Sequence, residues 1–108
     1  MDLSQLLLFA NSFVLVEGVS DKRALEEIGF SQVQFLSGPL FSVVESFEKG
    51  CVVQLCFDND AHGRELTKRF TREFSQRGVQ VRFDVQNIIF SFGVTRIEDF
   101  LSFVRRRK

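Results

Sequence analysis

Short apolar runs alternate along the chain with longer segments in which apolar residues recur every three or four positions. The short runs predict strands that are buried on both faces, and the longer segments predict amphipathic helices. Strands are predicted at four places, 13–16, 33–36, 51–57 and 79–83, and the last of them alternates and is expected to be half-buried. The third is expected to be the longest, and it is the most apolar.

The segments around these strands predict helices. They cover about 1–9, 20–28, 40–49, 62–77 and 97–107. Ser20 or Asp21 is expected to cap the second helix, because short polar side chains satisfy the first free N–H groups of a helix. Helix ends are expected at three glycines, Gly29, Gly50 and Gly78. Residues 84–93 fit neither pattern, and Val94 is expected to add a small strand.

Alternation of strands with helices predicts an α/β fold. We expect a three-layer α/β/α, Rossmann-like domain whose central sheet has about four strands and is mostly parallel. A chain of 108 residues fits a single compact domain over 1–108, with its core at about 13–100. In such sheets ligands bind at the carboxyl ends of the strands. Polar residues at those ends are therefore the first candidates for function.

Acidic residues stand at two of these strand ends. Asp58 and Asp60 follow the third strand, and Glu17 ends the first. If the two strands are neighbours, three carboxylates converge on one crevice. Like charges at that range repel one another unless a cation or a proton relieves them, and magnesium prefers hard oxygen ligands of this kind. The spacing thus predicts a divalent-metal site.

The composition favours an apolar core without a cysteine-based metal site. The chain has 14 Phe but no Trp and no Tyr, which indicates packing, because Phe needs no polar partner. Cys51 and Cys56 are expected on opposite faces of the third strand, where they cannot bridge, so reduced thiols and a cytoplasmic location are expected. The apolar run 6–9 is too short to cross a membrane, and no membrane partner is expected.

Charge is balanced over the whole chain, with 14 basic and 14 acidic residues. Four of the basic residues form the last four positions, 105–108, so the rest of the chain carries a net charge of −4. This balance does not predict a strong nucleic-acid binder. The terminal basic run is interpreted as a solvated helix end or as a phosphate contact, and Arg82 and Arg96 are further candidates for phosphate contact. Glu98 and Asp99 are weak candidates for the edge of the acidic crevice, because acids are also favourable in the first turn of a helix.

Two stretches together resemble a known family. Val14–Gly18 with Asp21, and the segment Phe57–Glu65 with its Asp-x-Asp-x-x-Gly pattern, resemble the Toprim domain of topoisomerases, primases and OLD-family nucleases. The resemblance spans about 13–100. It is greatest to small stand-alone, primase-like Toprim proteins, whose C-terminal segment is similar to Gly93–Phe100.

The resemblance implies roles for particular residues. Glu17 is implied as general acid or base, and Asp58 and Asp60 are implied as ligands of Mg²⁺, with Glu17 beside them and Mn²⁺ as a substitute. Nucleic-acid phosphate contacts are expected from five further residues, Gly18, His62, Gly63, Arg64 and Arg82. The helix that starts near Gly63 is also expected to aim N–H groups at a phosphate.

Two functions remain open at this point. The first is a magnesium-dependent enzyme that acts on nucleic-acid phosphodiesters, nuclease-like in RNA or DNA processing. The alternative is a noncatalytic metal- and nucleic-acid-binding module in a larger complex, for which the apolar segment Val85–Phe92 offers a surface for a homodimer or a protein partner. A phosphorelay receiver domain is disfavoured, because it needs the acidic pair after the first strand and a single aspartate after the third.

Overall fold

Four strands form a parallel sheet in the computed structural model, which describes residues 3–106. They are β1 (Phe13–Val16), β2 (Gln32–Phe35), β3 (Val52–Leu55) and β4 (Gln80–Arg82). The order across the sheet is β2-β1-β3-β4, and each neighbouring pair is parallel. The predicted α/β fold is confirmed. Because β1 and β3 are neighbours in the middle of the sheet, the residues that follow them meet at one edge.

Helices connect and flank the strands. They are α1 (Leu3–Leu7), α2 (Val19–Ile28), α3 (Leu40–Glu45), α4 (Ala61–Gln76), α5 (Asp84–Ser91) and α6 (Ile97–Arg106). Their apolar faces cover both sides of the sheet, which completes the three predicted layers.

Two separate cores lie on the two faces of the sheet, because successive side chains of a strand point to opposite sides. On one face, Val14 and Val16 of β1 pack with residues of α1, α2, α5 and α6. On the other face, Leu15 of β1 packs with residues of α3 and α4, among them Phe70 and Phe74. Because successive side chains of β1 enter opposite cores, this one buried strand links the three layers.

Phenylalanine serves as packing material in both cores, as its abundance predicts. Phe74 contacts Phe47 edge to face at 5.2 Å between ring centroids, and Phe57 lies 5.6 Å from Phe70. The two cysteines belong to different cores and are both free, which confirms their expected placement on opposite faces. Burial raises the pKa of the Cys56 thiol well above its ordinary range, so this thiol is unreactive.

Several predicted boundaries are wrong, and each has a local cause. β3 is no longer than β1, because its pairing with both neighbours ends by Leu55. α3 ends at Glu45 rather than near Gly50, since the Ser46 hydroxyl donates to the Val43 carbonyl at 2.6 Å and competes with the next helical turn. Gly50 lies instead in the turn that leads into β3.

The start of α2 and the segment around Val94 also differ from the prediction. Gly18 is the N-cap of α2, so neither Ser20 nor Asp21 caps it; Asp21 lies in the first turn and accepts a hydrogen bond from the Gly18 N–H at 3.2 Å. Val94 is not in a strand. It lies in the turn before α6, and the next residue, Thr95, contacts the loop that follows β3.

The ambiguous stretch after β4 is a helix that packs on its own domain. Val85 and Ile89 of α5 are fully buried, and Ile88, Phe90 and Phe92 pack partly buried against the same core. Most of the apolar surface of Val85–Phe92 is therefore covered within the chain, which removes the observation that favoured this segment as a partner surface. None of the helices within residues 3–106 has the length and apolar character to cross a membrane.

Candidate functional site

Glu17 and Asp58 lie side by side at the carboxyl edge of the sheet. Glu17 directly follows β1, and Asp58 follows β3 after the buried residues Cys56 and Phe57. The backbone N–H of Asp58 donates to Glu17 Oε1 at 3.3 Å. The parallel pairing of β1 with β3 thus produces the contact between two residues that are 41 positions apart.

The start of α6 fixes the orientation of Asp58. The N–H of Ile97, the first residue of α6, donates to Asp58 Oδ1 at 2.8 Å. Close by, the N–H of Asn59 donates to the Thr95 carbonyl at 2.7 Å. The N-terminus of α6 therefore holds the Asp58 side chain in a defined position. Among the described residues, the hydrogen bonds leave Asp58 Oδ2 without a donor.

Asp60 has a different position from Asp58. It is the N-cap of α4, and its Oδ1 accepts from the Gly63 N–H at 2.7 Å. Gly63 is required here by space, because a Cβ at this position would lie 1.9 Å from the carbonyl oxygen of Asp58. Gly63 thus lets the first turn of α4 lie directly against the loop that carries Asp58. Its N–H is already engaged by Asp60, so a phosphate contact from that N–H requires exchange of this bond.

An open cleft of about 450 Å³ lies over Glu17 and Asp58. Asp21 also lines it, whereas Asp60 does not. Arg96 and Glu98 form its far wall and are ion-paired with each other. The cleft therefore also contains the carboxyl groups of Asp21 and Glu98, whereas Asp60 does not join Glu17 and Asp58 in its lining.

Burial and the crowding of acids raise the pKa values of two carboxyl groups in this cleft. Burial raises the pKa of Asp21 to about 6, with the charge of Asp58 as the second cause. Burial also raises the pKa of Glu17, and the charges of Asp58 and Asp60 add to this effect. The Asp58 N–H and His62 act against it but do not cancel it. Such shifts are what a carboxyl needs in order to carry a proton near neutral pH.

The predicted phosphate-contact residues are spread around this edge. His62 Nε2 lies 3.7 Å from Glu17 Oε2, and its side chain is 72% exposed. Arg64 reaches the loop after β3, where its Nη1 donates to Asn59 Oδ1 at 3.4 Å. Gly18 borders the cleft, with its N–H engaged by Asp21. Arg82 lies outside the cleft, because Asp84 holds its guanidinium at 3.0 Å.

The donor set fits a hard divalent cation in its chemistry, and only partly in its arrangement. Glu17 and Asp58 are adjacent carboxylates, each with one oxygen held by a backbone N–H. Between residues 3 and 106, no group of three or more His, Cys, Asp or Glu side chains is arranged to hold a metal ion. Magnesium commonly binds through one or two carboxylates and keeps several waters. Two adjacent carboxylates therefore suffice as its protein ligands.

The contribution of α6 to the site is the part that side-chain patterns do not predict. Arg96 and Glu98 are candidates by residue type, and both line the cleft, whereas Asp99 does not. The N–H and carbonyl groups that hold the loop after β3 belong to the backbone, which carries no residue-specific signal. The available hint is the Gly93–Phe100 segment, whose resemblance to the end of small Toprim proteins marks it as part of the fold.

The basic run at the end of the chain lies apart from these carboxylates. Arg105 is ion-paired with Glu27 of α2, and neither residue lines the cleft. Residues 107–108 lie outside the described part of the chain. The phosphate contact considered for this run therefore stays a prediction.

The fold and the site together define a three-layer α/β domain with carboxylates after two adjacent central strands. The Toprim domain model matches residues 12–91, and the chain belongs to the Toprim family. This family gives it a general class, that of divalent-metal-binding domains that act on nucleic acids.

Comparison with solved structures identifies a relative of similar size. A putative protein from Aquifex aeolicus is similar to this chain, with 29% sequence identity and a TM-score of 0.79. The similarity covers 90% of this chain and 93% of the other. The search of curated proteins found no match.

Proposed function

We propose that this protein is a magnesium-dependent enzyme that cleaves nucleic-acid phosphodiesters, with one Toprim unit whose core spans about 13–100. The observation that carries the proposal is the contact between Glu17 and Asp58 at adjacent strand ends. It places a carboxyl whose pKa is raised next to a carboxyl group that the first N–H of α6 holds in position. A raised pKa suits proton transfer, and a side chain fixed in position suits metal binding.

Asp58 would hold the metal with Glu17 beside it, and Asp60 would join them from the N-cap of α4. Bound Mg²⁺ (or Mn²⁺) would supply charge stabilisation for the phosphate oxygens during transfer. Glu17 is the general acid or base in this proposal, because burial and neighbouring acids let it hold a proton that can be given to a leaving oxygen. His62 faces Glu17 from solvent and contributes a second titratable group on the same path.

Four residues around this centre are assigned to phosphate binding, Gly18, His62, Gly63 and Arg64. Arg64 is the best supported of them, since its guanidinium already points toward the loop that carries Asp58. Arg82 is the least supported, because Asp84 neutralises it outside the cleft.

Substitution of Glu17, the proposed general acid or base, tests the proposal. Structured RNA and DNA are incubated with wild type, Glu17→Gln and Glu48→Gln, in Mg²⁺ and in chelator. Wild type and Glu48→Gln should cleave one of the substrates in Mg²⁺ only, since Glu48 is exposed near the opposite end of the sheet. Glu17→Gln should be slower by about 100-fold or more. Equal cleavage in all arms would overturn the proposal.

A noncatalytic module that binds metal and nucleic acid within a larger complex is the second candidate. One observation favours it: Asp60 caps α4 instead of joining Glu17 and Asp58. If this candidate is correct, wild type should bind Mn²⁺ and nucleic acid but should cleave neither RNA nor DNA. The cleavage experiment, run beside a binding measurement, separates the two candidates.

A further inference from the structure

A second concave surface begins at Asp58 and runs between α4 and α5. This groove has a volume of about 240 Å³. The residues that matter for the argument are Asp58, Asn59, Arg64, Lys68, Gln86 and Phe90. Asp58 also lines the cleft over Glu17, so the groove and the cleft share one wall. A chain molecule bound in the cleft can therefore continue into the groove.

Two cations stand along the α4 side of the groove. Arg64 and Lys68 are four positions apart, so they project from the same face of the helix. Both are exposed, and neither forms an ion pair with an acidic side chain among the described residues. Unpaired cations in a row next to a metal-type carboxylate are suited to successive phosphates of one strand. The net charge of the whole chain is balanced, so it does not reveal this local excess of positive charge.

The α5 side of the groove offers contacts for a base. Gln86 Oε1 is buried and accepts no hydrogen bond from any described residue. An acceptor without a donor is costly, and rotation of the Gln86 side chain toward the groove would let a ligand supply one. Exocyclic amino groups of nucleobases are donors of this kind. Phe90 lies partly buried in the same wall and adds an apolar ring surface.

We propose that this groove binds one single strand of nucleic acid, with phosphates at Arg64 and Lys68 and one base against Gln86 and Phe90. This assignment rests on the proposed function, because it places the strand next to the metal-binding carboxylate. The groove is narrow enough to lie between two helices and has a volume of about 240 Å³, which suits part of one strand. RNA and DNA strands share the required chemistry.

Binding of labelled strands tests the proposal. Fluorescence anisotropy is measured for short single strands of RNA and DNA and for a duplex, in Ca²⁺ and in a Glu17→Gln background that keeps the strands intact. The double variant Arg64→Gln/Lys68→Gln should bind single strands about tenfold more weakly. Its salt slope should fall by about 1.4, at about 0.7 for each lost phosphate contact on a single strand.

A matched double variant controls for net charge. Arg23→Gln/Arg69→Gln also removes two exposed positive charges, but neither residue lines the groove. It should change affinity by less than about twofold and leave the salt slope unchanged. Equal losses in the two double variants, duplex binding as tight as single-strand binding, or no binding of either single strand would each overturn the proposal.

A third variant tests whether a nucleobase of the bound strand lies against Gln86. Gln86→Met keeps the size of the side chain and removes the acceptor. It should weaken binding of a base-bearing strand severalfold and leave binding of a strand with abasic sites unchanged. An equal effect on both strands would overturn the assignment. Metal binding at Asp58, measured separately by Mn²⁺ titration, tells failure of the groove apart from failure of the proposed function.

Discussion

Asp58 is the residue at which three parts of the fold meet. Its backbone N–H contacts Glu17 after β1, its carboxylate is held by the first N–H of α6, and its carbonyl lies against Gly63 of α4. Each of these contacts limits where the carboxylate can point. An arrangement that restrains one acidic side chain from three elements is expected where a cation must be bound in a defined position.

The sequence predicted the positions of some site residues better than those of others. Glu17 and Asp58 could be paired only on the condition that their strands are neighbours, because residues that follow adjacent parallel strands meet at one edge. Asp60 could not be told from Asp58 by spacing, although one caps a helix and the other lines the cleft. Asp21 was expected mainly as a helix cap, and its second position in the cleft depends on how α2 packs.

Asp21 should make the metal-free protein less stable as pH rises. Its folded-state pKa of about 6 lies above its ordinary value of 3.8, so the folded state binds more protons between these values. The free energy of unfolding should therefore fall as pH rises from about 4 to 6 and stay low above that range. Asp21→Asn keeps the acceptor for the Gly18 N–H but carries no charge, and it should be more stable than wild type by about 1–2 kcal/mol at pH 8.

Urea unfolding in chelator at pH 4 and pH 8 measures this effect. The advantage of Asp21→Asn should nearly vanish at pH 4, where wild type is largely protonated at this position. Asp99→Asn serves as control, because Asp99 is exposed in the first turn of α6 and outside the cleft. The free energy of unfolding of Asp99→Asn should be lower than that of wild type by about a few tenths of a kcal/mol at most. An Asp21→Asn variant that is less stable than wild type at pH 8 would contradict the burial argument.

At the scale of elements, a buried glutamine joins β3 to α5. Gln54 is only 3% exposed, and its Oε1 accepts from the Val85 N–H at 3.2 Å. Its Nε2 donates to Asp84 Oδ2 at 3.0 Å. Gln54 therefore caps the first turn of α5 from 31 positions earlier in the chain. The Asp84 carboxylate also forms an ion pair with Arg82. The hydrogen bond from Arg82 lowers the pKa of Asp84 more than the hydrogen bond from Gln54 does.

This remote cap explains why the sequence did not reveal α5. The local sequence offers no side chain that caps the helix, and its apolar residues are too numerous to form a narrow stripe. The long helix α4 was predicted to within a residue at each end, because its stripe of Leu66, Phe70 and Phe74 is regular. Helices that depend on partners far along the chain are the ones that local patterns miss.

Gln54→Met should destabilise the protein by about 1–3 kcal/mol, because the size is kept but the buried Val85 N–H loses its acceptor. Urea unfolding measures the loss, and hydrogen exchange of the α5 amides should show whether the helix opens more often. Gln80→Met on the edge strand β4 is the control, since Gln80 is exposed. It should stay within about 0.5 kcal/mol of wild type. Equal stability of the two variants would show that the remote cap contributes nothing.

At the scale of the molecule, the order of the strands creates the site. The first and third strands of the chain are central neighbours, and the second and fourth lie at the edges. The sequence predicted an α/β sheet, but it made the meeting of Glu17 with Asp58 conditional on this order. Local patterns give the elements, whereas the order depends on which apolar faces pack together across the whole chain.

Metal binding at the carboxyl edge is the central claim, and a Mn²⁺ titration followed by NMR tests it most directly. Paramagnetic broadening should appear first at the backbone amides of Asp58 and Asn59 and should be reversed by excess Mg²⁺. Amides near Gly50 and Gly78, at the opposite end of the sheet, should keep their intensity. Asp99→Asn should behave as wild type, and Asp58→Asn should lose the selective broadening. Broadening that is absent from this edge in wild type, or unchanged in Asp58→Asn, would contradict the account.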